Sequence, residues 1–148
     1  MRRIVTGEID GRSQVLHDGP GAQTPHWDEL WVTSPSDPLG RDPADPELTL
    51  EPPKGGTGWR IYSVPPDAVM RQVLDQQSNN EITDSEGFHK TRTLDYVYVL
   101  DGNITLQLEE ESVLLRPGDC VVQRGTNHAW RNHNDVPVRL LTVMVALP

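Results

Sequence analysis

Apolar residues occur along this chain in short runs, with polar or Gly/Pro-rich segments between them. Ile104 to Leu108 alternates apolar and polar residues with a period of two, and Asp101-Gly102 just before it predicts a hairpin turn. Short strands at roughly 8–12-residue spacing, with Gly and Pro between them, predict an all-β sandwich or barrel. In the C-terminal half we predict strands over 94–100, 104–108, 113–116, 120–123, 128–132 and 138–145.

The N-terminal half has a different pattern, because ten of the thirteen prolines fall between Pro20 and Pro66. Residues 34–47 have almost nothing to bury and repeatedly forbid helix, so we predict an extended loop there. Shorter strands are expected at 29–33, 48–50, 59–64 and 69–74, followed by a polar loop over 76–87. A length of 148 residues suits one domain. Residues 1–57 would then supply N-terminal strands and Pro-rich loops, and residues 58–148 the barrel core.

The charge balance excludes several classes of partner. The chain carries 22 acidic against 13 basic residues, a formal charge of −9, and the basic residues are scattered. Nucleic-acid binders usually show a basic patch, so we expect neither nucleic acid nor an anionic membrane surface as a partner. No apolar stretch approaches the length of a membrane span, and the N-terminus has no apolar region typical of a secretory signal. The expected location is the cytoplasm.

Cysteine and the isolated histidines suggest structural roles. Cys120 is the only cysteine, which allows no internal disulfide and no cysteine-based zinc cluster. Because it begins an apolar run, we predict that it is buried in a strand. His17 and His26 stand in Pro/Gly-rich sequence and are expected to be solvated. His133 lies on the opposite strand face from His128 and is expected at the surface.

One predicted strand carries polar side chains on what should be its inner face. Alternate residues of a strand share a side, so Val97 and Val99 would anchor one face inside the barrel. The same face continues through Asp95, Thr91 and His89. This polar end would open into a cavity. On a later strand His128, Trp130 and Asn132 share a face in the same way.

These residues carry a resemblance to the cupin family. The first cupin motif runs His-x-His, three or four residues, Glu, six residues, Gly, and this chain has His89-x-Thr91, three residues, Asp95, six residues, Gly102. The second motif runs Gly, five residues, Pro-x-Gly, two residues, His, three residues, Asn. The segment from Gly118 through Gly125 and His128 to Asn132 resembles it with one residue fewer and no proline. The resemblance implies a small cupin-type β-barrel or jelly roll, with the Pro-rich N-terminal half as an extension.

The resemblance also implies a metal site, which this chain would hold in reduced form. Typical cupins bind a divalent ion through three His and one Glu. Here His89 and His128 keep two positions, Thr91 replaces the third His, and Asp95 replaces the Glu. The remaining set of two His and one carboxylate suits Fe(II) and tolerates Mn(II), Zn(II) or Ni(II). The alternative is a metal-free pocket in which His89, Asp95 and His128 form a hydrogen-bonded cluster that still acts as general acid and base.

Cupins host many activities, so function stays open between classes. We expect first a small-molecule lyase or isomerase, in which Asp95 or a histidine moves a proton in decarboxylation, dehydration or cyclisation. The alternatives are an Fe(II) dioxygenase and a non-catalytic binding module. Thr91, Trp130 and Arg71 are predicted to line the substrate pocket, and Arg60 or Arg71 would be a natural clamp for a substrate carboxylate. The resemblance further implies a homodimer.

Overall fold

A computed structural model describes residues 1–41, 49–76 and 83–148 of the chain. Within these ranges the fold is all-β, as the sequence predicted, with one helix that the sequence analysis did not predict. The elements in chain order are β1(Arg3–Ile9), β2(Arg12–Gly19), β3(Ala22–Gln23), β4(Trp27–Ser34), β5(Asp37–Arg41), β6(Thr57–Val64), α1(Asp67–Gln76), β7(Thr93–Val99), β8(Ile104–Gln107), β9(Ser112–Leu115), β10(Cys120–Gln123), β11(Ala129–Arg131) and β12(Val138–Ala146).

The strands form three antiparallel sheets. The largest has the order β10-β7-β12-β6-β4-β3, with β5 paired to β4, and a smaller sheet has the order β11-β8-β9. Strands β1 and β2 form a separate hairpin. Strands from the N-terminal part therefore extend the large sheet through the β4–β6 pairing.

The hydrophobic core lies between the large sheet and the three-stranded sheet. The large sheet contributes Val64, Val97, Val99, Val138 and Leu140, and the small one contributes Ile104, Leu106 and Leu115. Along β7 the buried and outward-facing residues alternate as the sequence predicted, with Tyr96 and Tyr98 on the exposed side. Burial of each large aliphatic side chain contributes roughly 1.5–3 kcal/mol, so this two-sheet contact holds the barrel together.

The segment 69–74 is helical, so the strand prediction there was wrong. The Pro65-Pro66 pair gives the chain a start signal, since proline suits the first turn of a helix, where its missing N–H has no partner anyway. The amides of Val69 and Met70 both donate to the carbonyl of Pro66. Met70, Val73 and Leu74 have the spacing of one helix face and turn toward the barrel, where they line a cavity.

The Asp101-Gly102 turn joins two different sheets, so it does not close the predicted hairpin. β7 belongs to the large sheet and β8 to the small one. The Asp101 carboxylate accepts hydrogen bonds from the Arg139 backbone N–H at 2.8 Å and from its Nε at 2.6 Å, which ties the turn to β12. Gly102 has a φ of +68°, and a Cβ there would stand 2.6 Å from Val138 Cγ2. Glycine is needed at this crossing for both reasons.

Other predictions for individual segments had mixed outcomes. The predicted loop 34–47 contains strand β5, and its residues 42–47 lie outside the described residues. Of the predicted strand 48–50, residue 48 is also outside them, and residues 49 and 50 are not in a strand. In the polar loop 76–87, residues 77–82 are outside them.

Single side chains also departed from expectation. Cys120 is exposed, because it faces outward at the start of edge strand β10, and not buried as predicted. His26 and His133 are exposed as expected, whereas His17 is half-buried. Within the described parts of the chain, α1 is the longest helix and falls well short of the length that crosses a bilayer.

Candidate functional site

A cavity of about 1060 Å³ opens at the end of the barrel next to α1. Most of its wall is apolar, and the aromatic side chains of Trp27, Tyr62 and Trp130 contribute to it. Its polar groups are concentrated where β7, β10 and β11 meet, and there they are His89, Thr91, Asp95, Gln123 and His128. A large, mainly apolar cavity with a few convergent polar groups is the usual form of a small-molecule site.

His89 and His128 are held opposite each other by the backbone. His89 N–H donates to the His128 carbonyl at 2.9 Å, and His128 N–H donates to the His89 carbonyl at 3.0 Å. This reciprocal pair is the close bonding pattern of antiparallel strands. It links the segment before β7 to the segment before β11, so it joins the two sheets at the cavity. The imidazole rings are thereby brought to a centroid distance of 4.3 Å.

The hydrogen bonds of the two rings assign their protons. Nδ1 of His128 lies 2.9 Å from the Thr126 carbonyl and Nδ1 of His89 lies 3.3 Å from the Gly87 carbonyl. Since a carbonyl only accepts, each Nδ1 carries the hydrogen and each Nε2 keeps a lone pair. Burial lowers the pKa of His89, and burial together with the neighbouring His89 ring lowers the pKa of His128 to about 4. Both rings are therefore neutral bases near pH 7.

Asp95 is a buried carboxyl with one oxygen that has no hydrogen-bond partner. Its side chain is 6% exposed, Oδ1 has no hydrogen-bond partner, and the residue lines the cavity. Burial raises the pKa of Asp95, although a hydrogen bond from Thr93 and the positive charge of Arg60 oppose the rise. A buried polar atom without a partner costs stability. An oxygen retained in this state next to a cavity is typical of a group that meets a ligand.

A chain of side-chain contacts supports the two ends of this cluster. The Thr91 and Thr93 hydroxyls lie 2.7 Å apart, and because the Thr93 hydrogen goes to Asp95, Thr91 donates to Thr93. Gln123, which pairs with Asp95 in the sheet register, donates to the Thr126 carbonyl at 3.2 Å. That carbonyl also accepts from His128. The sequence analysis did not single out Gln123, whose position opposite Asp95 depends on strand pairing.

A second buried polar cluster was also missed, and it centres on an ion pair. Arg60 Nε lies 2.6 Å from Glu29 Oε2, and the two side chains are 3% and 1% exposed. The guanidinium lies 5.0 Å over the Trp27 ring, contacts the Tyr62 hydroxyl at 3.2 Å and Met144 Sδ at 3.5 Å. Burial raises the pKa of Glu29, against the opposing effect of Arg60. Arg60 is thus committed to Glu29, and it is not among the cavity-lining residues.

Comparison with known proteins agrees with this architecture. Residues 81–144 match the model of a family described as "Cupin domain". These residues are a cupin domain. The matched segment contains the histidine pair, Asp95 and strands β7 to β11.

Curated relatives of this chain are fungal. The "Phomopsin biosynthesis cluster protein D" of Diaporthe leptostromiformis is 55% identical over 72 residues, which are 48% of this chain and 35% of that protein. The "Cupin-domain-containing oxidoreductase fogC" of Aspergillus ruber is 38% identical over 61 residues, 38% of this chain and 30% of that protein. The chain thus spans about a third of the length of these relatives.

Solved structures that the chain matches share less sequence. The protein TT1209 of Thermus thermophilus has a TM-score of 0.43 and 22% identity, over 62% of this chain and 74% of that chain. A "Cupin 2 conserved barrel domain protein" of Salinispora arenicola CNS-205 has a TM-score of 0.43 and 17% identity, over 60% of this chain and 62% of that chain.

The metal positions of the cupin motif are only partly filled in this chain. His89 and His128 each offer an Nε2 lone pair, but the Thr91 hydroxyl is bonded to Thr93. Across residues 1–41, 49–76 and 83–148, no three His, Cys, Asp or Glu side chains are gathered closely enough to hold a metal ion. Asp95 therefore does not complete a three-ligand set with the histidines. The donors as placed do not fit the family's metal.

The remaining predicted site residues fall in different places. Thr91 and Trp130 line the cavity, and the Trp130 ring meets His128 edge-on at 5.9 Å. Arg71 lies on the exposed face of α1 and is not among the lining residues, because its segment is helical instead of extended. Asn132 is buried beyond the cavity, where its amide donates to the carbonyls of Val64 and Val136, both at 2.9 Å.

Proposed function

We propose that this cupin is a small-molecule lyase or isomerase that works by proton transfer inside the barrel cavity. The observation that carries the proposal is that two kinds of titratable group line the same cavity. Asp95 is a buried carboxyl whose Oδ1 has no partner. His89 and His128 are neutral imidazoles, each with its hydrogen on Nδ1. Groups whose pKa values are shifted by burial in this way suit general acid–base catalysis.

The roles follow from the two environments. Because burial raises the pKa of Asp95, this carboxyl holds a proton more readily than an exposed one and is the proposed general acid. Because the pKa of His128 is lowered to about 4, its Nε2 is free to accept a proton and is the proposed general base. His89, whose ring centroid lies 4.3 Å from that of His128, is the alternative base.

Dehydration of a β-hydroxy carbonyl compound illustrates how the two groups would divide the proton transfers. The base takes the proton next to the carbonyl, and the released electron pair forms the C=C bond. The C–O bond breaks as Asp95 protonates the departing hydroxyl, and water leaves. For an isomerisation, the same two groups would take a proton from one carbon and return one to another.

The names of the relatives support a biosynthetic setting. Three of them are described as proteins of the phomopsin or oryzines biosynthesis clusters, at 40 to 55% identity over about half of this chain. We therefore place the proposed reaction in the assembly or tailoring of a small organic molecule. Because the matched segment is only about a third of each of these relatives, the activity of the whole relatives is not transferred to this chain.

Product mass tests the proposed reaction class. The protein is incubated in D₂O with a panel of neutral β-hydroxy ketones carrying aryl or alkyl groups, and products are followed by liquid chromatography and mass spectrometry. We expect loss of water, or unchanged composition with incorporated deuterium, and loss of either signal in Asp95→Asn. Binding of panel members without any exchange or elimination would contradict catalysis and favour a binding module.

An oxygenase is the second candidate, since two relatives carry the description "Cupin-domain-containing oxidoreductase". It would require redox-active iron at the two histidines. Elemental mass spectrometry of untagged protein, beside a His89→Ala/His128→Ala variant, tests this candidate. Near-stoichiometric iron that disappears in the variant, together with products that gain oxygen atoms, would replace the lyase proposal.

A further inference from the structure

The lining of the cavity also indicates which class of substrate the protein binds. This inference rests on the proposed function. The cavity volume of about 1060 Å³ is slightly above the roughly 300–1,000 Å³ typical of sites for drug-sized ligands. The apolar part of its wall includes Met70, Val73 and Leu74 of α1 and Leu140 of β12. A substrate filling this space would rest most of its surface on apolar side chains.

Permanent positive charge is the feature that would select a carboxylate or phosphate. All thirteen Lys and Arg residues of the sequence lie in the described ranges 1–41, 49–76 and 83–148. Of these thirteen, Arg131 alone lines the cavity. The two arginines expected to clamp a carboxylate are elsewhere, because Arg60 is paired with Glu29 and Arg71 is exposed on α1.

Arg131 is already engaged by the protein. Its Nε donates to Gln107 Oε1 at 2.6 Å and its Nη1 donates to the Glu86 carbonyl at 2.6 Å. The guanidinium also lies 5.5 Å over the Phe88 ring. A carboxylate binds arginine through two adjacent nitrogens, and the Nε edge and the Nη1 edge each carry a protein acceptor. Arg131 therefore anchors the segment before β7 to β8 and does not serve as an anion clamp.

We infer that the substrate is a large, predominantly apolar molecule without a negative charge, bound by shape and by one polar group at Asp95. An anion would enter a cavity that offers no free guanidinium or ammonium from the thirteen basic side chains, beside a buried carboxyl. The unpartnered Oδ1 of Asp95 is instead matched by a substrate hydroxyl or carbonyl. Among the proposed reactions, this favours dehydration, isomerisation or cyclisation over decarboxylation of a carboxylate.

Three probes of one shape test the inference at pH 8. They are 1-pyrenebutanol, 1-pyrenebutyrate and 1-pyrenebutylamine, which are neutral, anionic and cationic, and their binding is followed by quenching of the cavity residues Trp27 and Trp130. We expect the alcohol to bind at least tenfold more tightly than the carboxylate, and the amine to bind no more weakly than the carboxylate. A carboxylate that binds as tightly as the alcohol would overturn the inference, as would failure of all three to bind.

Matched variants locate the binding. Val73→Trp fills the cavity from α1 and should weaken the alcohol at least tenfold, whereas Ala68→Trp, at an exposed position of the same helix outside the lining, should not. Val73→Lys should tighten the carboxylate at least tenfold relative to Val73→Gln. Equal effects of the two tryptophan variants would place the probes outside the cavity and contradict the inference. Because binding is measured without turnover, selective binding by a protein that is inactive on every ketone would contradict the proposed function alone.

Discussion

Two buried polar clusters lie within this barrel, and they differ in whether the carboxyl group is paired with a cation and whether it lines the cavity. In the Arg60–Glu29 cluster the Arg60 guanidinium lies 2.6 Å from Glu29 Oε2 and the indole N–H of Trp27 donates to the same oxygen at 3.2 Å, while Glu29 Oε1 has no hydrogen-bond partner. In the Asp95 cluster the carboxyl receives a hydrogen bond from Thr93, and its other oxygen has no partner. Asp95 lines the cavity, whereas Arg60 and Glu29 do not.

This difference distinguishes a cluster that maintains the fold from a cluster that is available for chemistry. A buried ion pair that is broken leaves a charge without compensation, so the Arg60–Glu29 cluster must stay intact for the fold. A buried carboxyl without a charge partner costs stability in the folded protein, and its retention needs another reason. We therefore expect substitutions in the first cluster to change stability and substitutions in the second to change activity.

Asp95→Asn should have the largest effect of the series, and this effect should be on activity and not on stability. Removal of the proposed general acid is expected to lower turnover by about 10²–10⁴-fold, the usual contribution of such a group. Stability at pH 7 should stay within about 1 kcal/mol of the parent or rise, because the raised pKa of Asp95 marks an ionised form that the fold disfavours. Turnover assays and urea unfolding measure the two effects, with exposed Asp135→Asn as the control. Full turnover in Asp95→Asn would remove this carboxyl from the mechanism.

Arg60→Met, in contrast to Asp95→Asn, should lower the stability of the fold. It leaves Glu29 buried without its cation, so the free energy of unfolding should fall by about 3–5 kcal/mol. Arg60→Met/Glu29→Leu should recover most of this loss, since an apolar pair replaces the ionic one. The exposed pair Arg2–Asp18, joined at 2.7 Å, gives the control, and Arg2→Met should leave the free energy of unfolding almost unchanged. Similar losses in the two single variants would show that burial of the Arg60 pair has no special weight.

The histidine pair predicts a pH dependence of stability. His128 has a folded-state pKa of about 4 against 6.5 for the free side chain, so the unfolded chain binds its proton first as the pH falls. Stability from this group is complete above pH 6.5 and is lost between there and about pH 4, by on the order of 3 kcal/mol. Urea unfolding at several pH values should show a shallower loss in His128→Phe. Parallel curves for parent and variant would contradict the neutral, buried imidazole.

Thr91→Val should have the smallest effect of the series. It removes the hydroxyl that donates to Thr93 at 2.7 Å, which should cost about 1 kcal/mol of stability. With Thr93 less polarised, its bond to Asp95 weakens, and the pKa of Asp95 should rise further. Half-buried Thr105→Val on β8 is the control for loss of a hydroxyl. A fall in the Asp95 pKa would show that Thr91 does not act through this chain.

Much of this arrangement could be predicted from periodicity. The alternation through Val97 and Val99 identified the inner face of β7, and the same parity continued to Asp95 and Thr91. The cupin-like spacing indicated that His89 and His128 belong to one site, and the backbone bridge joins them. These features depend on local sequence and on strand geometry.

Other features were missed, because they depend on pairing between distant strands or on local sequence signals that favour different structures. The Arg60–Glu29 pair and Gln123 opposite Asp95 follow from sheet register, which short strands with bulges do not reveal. The β-branched residues of 69–74 suggested a strand, but the Pro65-Pro66 start signal and the spacing of Met70 and Leu74 prevailed. Arg71 was misplaced for the same reason. The Asp101-Gly102 turn was misread because a turn sequence does not say which strands it joins.

The titration of Asp95 tests the central claim most directly, because it needs no substrate. With the aspartate side-chain carboxyl carbons labelled with ¹³C, NMR spectra of the parent and of Asp95→Asn identify the Asp95 signal and follow it with pH. We predict a midpoint clearly above 3.8, the ordinary value for aspartic acid. A midpoint at or below 3.8 would mean that Asp95 is a stably ionised, satisfied carboxylate, and it would contradict the account of this cavity as an acid–base site.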